Sequence, residues 1–231
     1  MVEATGSKGD VDFGDGAAVR DALTRATHVL SSVPPAGDSD PVLDRFGSDI
    51  TQVWTGYLSS TGVYGDTRGA WVDESAPVGG GRRTARAECD QRWLAKGARV
   101  FRLPGIYGPG RSALDRVQTG TAKRIDLPGQ VFSRVHVDDI VSGVLKGLNG
   151  PEGAYNLSDD LPCPQNTVIE EACRLLGAKL PPLQTLEEAN LSPMAQGFYA
   201  ENRRVANGKA KRVLGWQPAF PTFRDGLAAL A

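Results

Sequence analysis

Short runs of β-prone apolar residues alternate along the chain with segments whose apolar positions recur at helical spacing, and this alternation predicts the elements. A helix is expected over residues 17–25, with Val19 and Leu23 on one face. Next come a strand over 27–33 that stops at Pro34-Pro35 and a second helix over 40–52. Residues 50–58 read as a strand that frays into Ser59-Ser60-Thr61-Gly62. After a glycine-rich polar loop, a helix over 84–94 leads to a strand over 98–103, a helical stretch over 112–120 and a strand over 131–137. Asp138-Asp139 are expected to cap a helix over 140–148. Strands alternating with helices predict an α/β fold with a parallel, doubly wound sheet. Beyond Gly150 the pattern loosens into a short strand over 154–157 and helices over 167–176, 203–214 and from 222 onward. The expected division is therefore a sheet domain over 1–150 and a small α+β lobe over 151–231.

The frayed end of the 50–58 strand attracts interest because ligands sit at the carboxyl ends of strands in open α/β sheets. Hydroxyls there can bond a substrate oxygen, and Gly62 permits a tight turn. A hairpin corner whose hydroxyls satisfy local amides is the alternative. Composition narrows the function. A chain of 231 residues with 40% hydrophobic and 23% charged content suits one soluble α/β domain with a real core. A formal net charge of -1, with basic and acidic residues interspersed, gives no nucleic-acid footprint. A small-molecule substrate or nucleotide ligand is expected instead. No apolar run could span a bilayer, and the opening residues lack a signal-peptide core. Three widely spaced cysteines and two histidines offer no metal site, and they suggest a reducing, cytoplasmic setting.

Three motifs occur in one order: Ser59-Ser60-Thr61-Gly62-Val63-Tyr64-Gly65, then Arg102-Leu103-Pro104-Gly105-Ile106-Tyr107-Gly108-Pro109-Gly110, then Arg134-Val135-His136-Val137-Asp138-Asp139. With Tyr155-Asn156 and Leu214-Gly215-Trp216-Gln217-Pro218 they resemble the NAD-dependent epimerase/dehydratase family of extended short-chain dehydrogenases, from about residue 27 to 230. Ser192-Pro193-Met194 and Phe198-Tyr199-Ala200-Glu201-Asn202 are most similar to its atypical, YeeZ-type branch. The resemblance implies a Rossmann-like sheet, NAD or NADP as cofactor, and Ser60 with Thr61 as the hydroxyls that polarise a substrate oxygen. It also implies that Ser31, Ser32, Val33 and Pro34 line the cofactor, that Pro104, Gly105 and Ile106 pass beside the nicotinamide, and that Ser60 contacts the same group.

Two departures qualify that expectation. The family's proton chemistry uses a tyrosine four residues before a lysine, whose charge lowers the tyrosine pKa and holds the ribose. Arg82 and Arg86 occupy those positions. Arginine stays charged and is a poor general acid, so Arg82 cannot replace the tyrosine. Arg86 either holds a ribose or phosphate or belongs to a solvated helix turn. The family's opening Gly-x-x-Gly-x-x-Gly turn, which receives the pyrophosphate, does not precede residue 27, and Gly14-Asp15-Gly16 carries a carboxylate where a diphosphate would lie. The sheet is thus expected to be amino-terminally incomplete. Gly79-Gly80-Gly81 with Arg82 and Arg83 offers an alternative phosphate nest or a flexible loop. Cys89 reads as a helix-face residue, and His136 as structural. The expected function is an atypical NAD(P)-binding protein with weak or absent oxidoreductase activity. A non-catalytic module that uses the pocket or an open sheet edge, including a homo-oligomer, is the alternative. A variant enzyme with Tyr64 or Tyr107 as acid is a third reading.

Overall fold

The computed structural model describes residues 2–6, 8–82 and 84–231, Met194 by its backbone alone. In chain order the first elements are α1 (Gly16–Arg25), β1 (His28–Ser31), α2 (Pro41–Phe46), β2 (Trp54–Ser60), a 3-10 turn (Thr61–Tyr64) and β3 (Trp71–Val72). The middle of the chain forms α3 (Thr84–Ala95), β4 (Arg99–Leu103), β5 (Gly105–Tyr107), α4 (Ala113–Gln118), β6 (Arg124–Ile125), β7 (Arg134–His136) and α5 (Val137–Gly147). The last part forms β8 (Gly153–Asn156), α6 (Gln165–Leu176), β9 (Leu183–Gln184), α7 (Pro193–Tyr199), β10 (Arg204–Val205), α8 (Gly208–Leu214) and α9 (Phe223–Leu230).

The central sheet is parallel throughout, in the order β1-β2-β4-β8, with Tyr57 opposite both Ser31 and Val100 and Phe101 opposite Tyr155. Helices cover both faces, as an all-parallel sheet requires. On one face Tyr57 and Val100 pack with Val42 and Leu43 of α2 and Cys89 and Trp93 of α3. On the other, Trp54, Phe101, Leu103 and Tyr155 pack with Ile140 of α5, Leu214 of α8 and Trp216. The α/β fold with a parallel, Rossmann-like sheet is the one expected. The fourth strand, β8, falls beyond residue 150, so the sheet itself crosses the expected domain boundary. A third cluster joins α4, α6 and α9 through Leu114, Ile169, Ala172, Phe223 and Leu227.

Several elements differ from the sequence reading. The helix expected over 40–52 ends at Phe46, where Gly47 follows, and Asp40 caps it by accepting from the Val42 and Leu43 amides. The helix expected over 203–214 starts only at Gly208, because Arg204 and Val205 pair with Trp71 and Val72. The two acids fall in the first turn of α5 and do not act as a pair of caps. Nδ1 of His136 accepts from the Asp138 amide, whereas the buried Asp139 carboxylate accepts from the amides of Ala219 and Phe220, 2.5 and 3.1 Å away. Asp139 therefore ties the loop before α9 to α5. Burial pushes its pKa up and these amides pull it back, with burial prevailing.

Candidate functional site

β2, β4 and the chain leaving β1 all end at one cavity of about 1020 Å³, lined by Ser32, Ser60, Thr61, Arg82, Arg86 and the segment Pro104-Gly105-Ile106 among others. Most residues singled out from the sequence are thus brought together. Strand alternation sends the neighbouring serines different ways. The Ser59 hydroxyl donates to buried Asp90 at 2.6 Å, while Ser60 accepts from the Gly62 amide at 3.1 Å and so caps the 3-10 turn. Its own O–H remains available to the cavity. Ser31, Val33 and Pro34 are not in the lining. The Ser31 oxygen accepts from the Val33 amide, and Val33 packs into the cluster of Tyr57 and Trp93.

Arg86 stands in the first turn of α3 and donates to the Tyr57 hydroxyl at 2.7 Å, with its guanidinium 5.8 Å from that ring. Tyr57 is stacked on Trp93, so the arginine is anchored to a rigid base. Arg82 lies just before α3. Its amide donates to Oε1 of Glu201 at 3.1 Å, its guanidinium is 3.7 Å from the same oxygen, and it lies 5.3 Å over the Phe198 ring. Glu201 also accepts from Arg203 at 2.9 Å. The glycine-rich loop is consequently tied in part to this protein's own groups. Gly79 donates to the Val63 carbonyl, and Gly81 packs on Gly65 and the Glu201 carboxylate. Arg83 lies outside the described residues. The glycine pair at residues 14 and 16 is likewise no anion turn, since Asp15 caps α1 through the Ala17 and Ala18 amides.

Both candidate tyrosine acids are buried. Tyr64 is buried, accepts from Arg102 at 3.0 Å and donates to Asn156 at 2.8 Å. Burial pushes its pKa up despite Arg102. Tyr107 reaches the cavity, but its hydroxyl is buried without a hydrogen-bond partner among the described residues. Burial and then Asp159 raise its pKa. Cys89 is buried in the α2–α3 cluster, and desolvation followed by Asp40 pushes its thiol up to about 11. It is not an activated nucleophile. His136 is buried between Tyr107 and Phe220.

Two features were missed from the sequence. The first is a buried ion pair beneath the serine strand, in which Arg102 donates to Asp90 from Nε at 3.0 Å and from Nη2 at 2.7 Å. Its only signal was an arginine inside the apolar run Val100-Phe101-Arg102-Leu103. The second is the charge of the cavity. Seven of its lining side chains are arginine or lysine and two are acids, so an anionic ligand is favoured. Among the described residues no group of His, Cys, Asp and Glu could hold a metal ion, and no helix is long and apolar enough to cross a membrane.

A parallel sheet wrapped on both faces, with a serine-ended strand opening on a polar cavity, is the architecture of the Rossmann-like epimerases and dehydratases. No protein-family model matches the chain. A solved structure of a conserved protein of unknown function from Silicibacter pomeroyi DSS is 43% identical, with a TM-score of 0.84 over 90% of this chain and 78% of that one. The chain belongs to the family of that protein, within the NAD-dependent epimerase/dehydratase fold. DesIV, a dTDP-glucose 4,6-dehydratase from Streptomyces venezuelae solved with NAD and TYD bound, shares that fold at 20% identity and a TM-score of 0.73, over 95% of this chain and 76% of its own. A 3-diazoavenalumate denitrifying reductase from Streptomyces sp is 34% identical over 182 residues, 68% of this chain. The chain spans 58% of the length of that curated relative.

Proposed function

We propose that this chain is an atypical NAD(P)-binding, reductase-like member of the short-chain dehydrogenase superfamily that holds its cofactor weakly and performs no tyrosine-based proton transfer. The observation that carries this reading is the cavity wall formed by Ser60, Arg86 and Arg82. A hydroxyl and an anchored cation are present, but the position of the proton donor holds an arginine paired with Glu201. The NAD complex of DesIV and the reductase name of the Streptomyces relative support the cofactor class and the reaction class.

The residues fit the nicotinamide and ribose end of such a cofactor. Arg86 would hold the ribose or a phosphate, Ser60 would donate to the carboxamide or the substrate oxygen, and Pro104 and Ile106 would flank the ring. The Gly14 amide donates to Asp12 and the Gly79 amide to the Val63 carbonyl, and Asp15 sets a carboxylate in the first of these turns, so neither glycine run is shaped to receive the pyrophosphate. A bound nicotinamide supplies a hydride. The protein's part is to orient the acceptor with Ser60 and Thr61 and to shield it with the apolar side chains of α6 and α9, which we assign to a substrate side formed by residues 151–231. Three buried, unpaired cysteines fit a reducing, cytoplasmic setting. Calorimetric titration with NADH and NADPH tests the reading. Millimolar dissociation constants are expected, and micromolar affinity contradicts it.

A second reading has one observation behind it. β1 is the edge of the central sheet, Leu30 on it is 43% exposed, and Val137, Val141 and Leu145 form an exposed apolar row on α5. Such an edge can pair with another chain, which would make the protein a binding module or a homo-oligomer. Light scattering that finds only monomer at high concentration removes this reading.

A further inference from the structure

Part of the cavity lining, from Arg111 to Arg134 and on α6, α7 and α9, has a composition of its own. Its cations are Arg111, Arg116, Lys123 and Arg134, and around them stand Phe132, Tyr199, Val168, Ile169, Phe223 and Leu227. Arg134 is 6% exposed, and its guanidinium donates to the carbonyl of Phe132 at 2.8 Å and to Oε1 of Gln165 at 3.1 Å. All its hydrogen-bond acceptors are neutral, and no carboxylate lies within ion-pair distance. The carboxylate of the buried acid that Arg134 attracts, Asp159, makes no hydrogen bond or ion pair with the guanidinium and has its pKa pushed up by burial. A buried cation without a direct counter-ion is costly. Arg111 and Arg116 make no hydrogen bond or ion pair through their side chains among the described residues. Desolvation lowers the Arg116 pKa, and the like charge of Arg134 pushes the same way although Tyr199 opposes it. The acid nearest in sequence, Asp115, is spent on the Ser112 hydroxyl and amide, both at 2.6 Å.

We infer that this part of the cavity is an anion subsite for a carboxylate carried on an apolar, aromatic-sized body, with Arg134 as the buried counter-charge and Arg111 and Arg116 as the free forks that clamp it. The inference rests on the reading of the cavity as a substrate site and names the substrate class for it. Arginine presents paired donors that match a carboxylate. A phosphate would satisfy the same donors, so the walls make the choice. A sugar or nucleotide brings hydroxyls that need polar partners once desolvated. Here the surroundings are mostly branched aliphatic and aromatic side chains, and the Ser112, Thr121 and Ser133 hydroxyls and the Gln165 amide oxygen among them already bond within the protein, which favours a ligand that is apolar beyond its charged end.

The test is calorimetric titration of the intact chain, without cofactor, with 3-phenylpropionate, 3-phenylpropan-1-ol, uridine diphosphate and inorganic phosphate. The carboxylate should bind at least about tenfold more tightly than the uncharged alcohol, as expected for charge-assisted hydrogen bonds. Arg116→Gln and Arg111→Gln should each remove most of that advantage and leave NADPH affinity unchanged. Equal binding of acid and alcohol, tightest binding of uridine diphosphate or phosphate, or full carboxylate affinity in both variants would overturn the inference. Because NADPH is titrated separately, a lost cofactor site and a wrong substrate class give different results: the first abolishes NADPH binding alone, the second leaves it intact.

Discussion

Replacing Arg102 by leucine should destabilise the protein severely through a charge that never touches ligand. The Arg102 and Asp90 side chains are 3% and 0% exposed, and the pair is joined by two hydrogen bonds of 2.7 and 3.0 Å. Burial alone would lower the Arg102 pKa. Hydrogen bonding to Asp90 and the nearby Tyr64 outweigh it, and the net shift is upward. Arg102→Leu leaves Asp90 with only the Ser59 hydroxyl and strips Tyr64 of its donor. Removing one partner of a buried pair costs about 3–5 kcal/mol. Against a typical total of about 5–15 kcal/mol, that is a large share. At about 2–4 °C per kcal/mol for a chain of this size, the midpoint should fall by about 6–20 °C. Urea unfolding followed by tryptophan fluorescence reads the change, since Trp93 and Trp216 are fully buried. The double variant Arg102→Leu/Asp90→Leu removes both charges and should lose less than Arg102→Leu alone. A single-variant cost below about 1 kcal/mol, or a double variant as unstable as the sum of the two singles, would refute the reasoning.

Three further outcomes follow from particular side chains. Asp159 is buried and pushed up from 3.8 to about 7, mainly by desolvation against the attraction of Arg134. Its folded form keeps a proton that the unfolded chain releases above about pH 4, so stability should fall between pH 4 and 7 and level off above. Asp159→Asn should flatten that slope in a melting series from pH 5 to 8, and an unchanged slope would exclude Asp159 as its source. Tyr107→Phe removes a hydroxyl without a partner and should be neutral or stabilising by about 1 kcal/mol in urea, with any turnover intact there and in Tyr64→Phe. A marked loss of turnover in either would restore the tyrosine-acid reading. Gly226→Ala would place a Cβ 2.1 Å from the Tyr107 hydroxyl and 2.6 Å from its ring. A cost of about 1–3 kcal/mol or more is expected, and Tyr107→Leu in the same chain should recover part of it.

What the sequence made legible was governed by local pattern. The apolar runs around residues 27–33 and 98–103 hold strands because each is short, β-prone and closed by proline; the run at 50–58 also yields a strand, but it begins at Trp54 and continues through Ser59 and Ser60, which pair with β4 instead of fraying, and the ends meet at the cavity for topological reasons. Long-range partners decided the rest. Val205 lies in a helical-looking stretch, but its pairing with Val72 makes it a strand. Asp139 looks like a cap, but two amides some 80 residues later claim its carboxylate. Arg111 and Arg116 carry no local signal of a site, and their charge gains meaning only when Arg134 and Lys123 arrive at the same cavity from other elements. The substitution of Arg82 for the tyrosine was visible at once. Its pairing with Glu201, 119 residues away, was not.

The cavity wall of Ser60 and Arg86 is the centre of the account, and NADPH titration of the intact chain beside Arg86→Met and Ser60→Ala tests it most directly. Saturable binding in the millimolar range, lost in Arg86→Met and weakened in Ser60→Ala, is the predicted result. Micromolar binding, or millimolar binding indifferent to both substitutions, would contradict it.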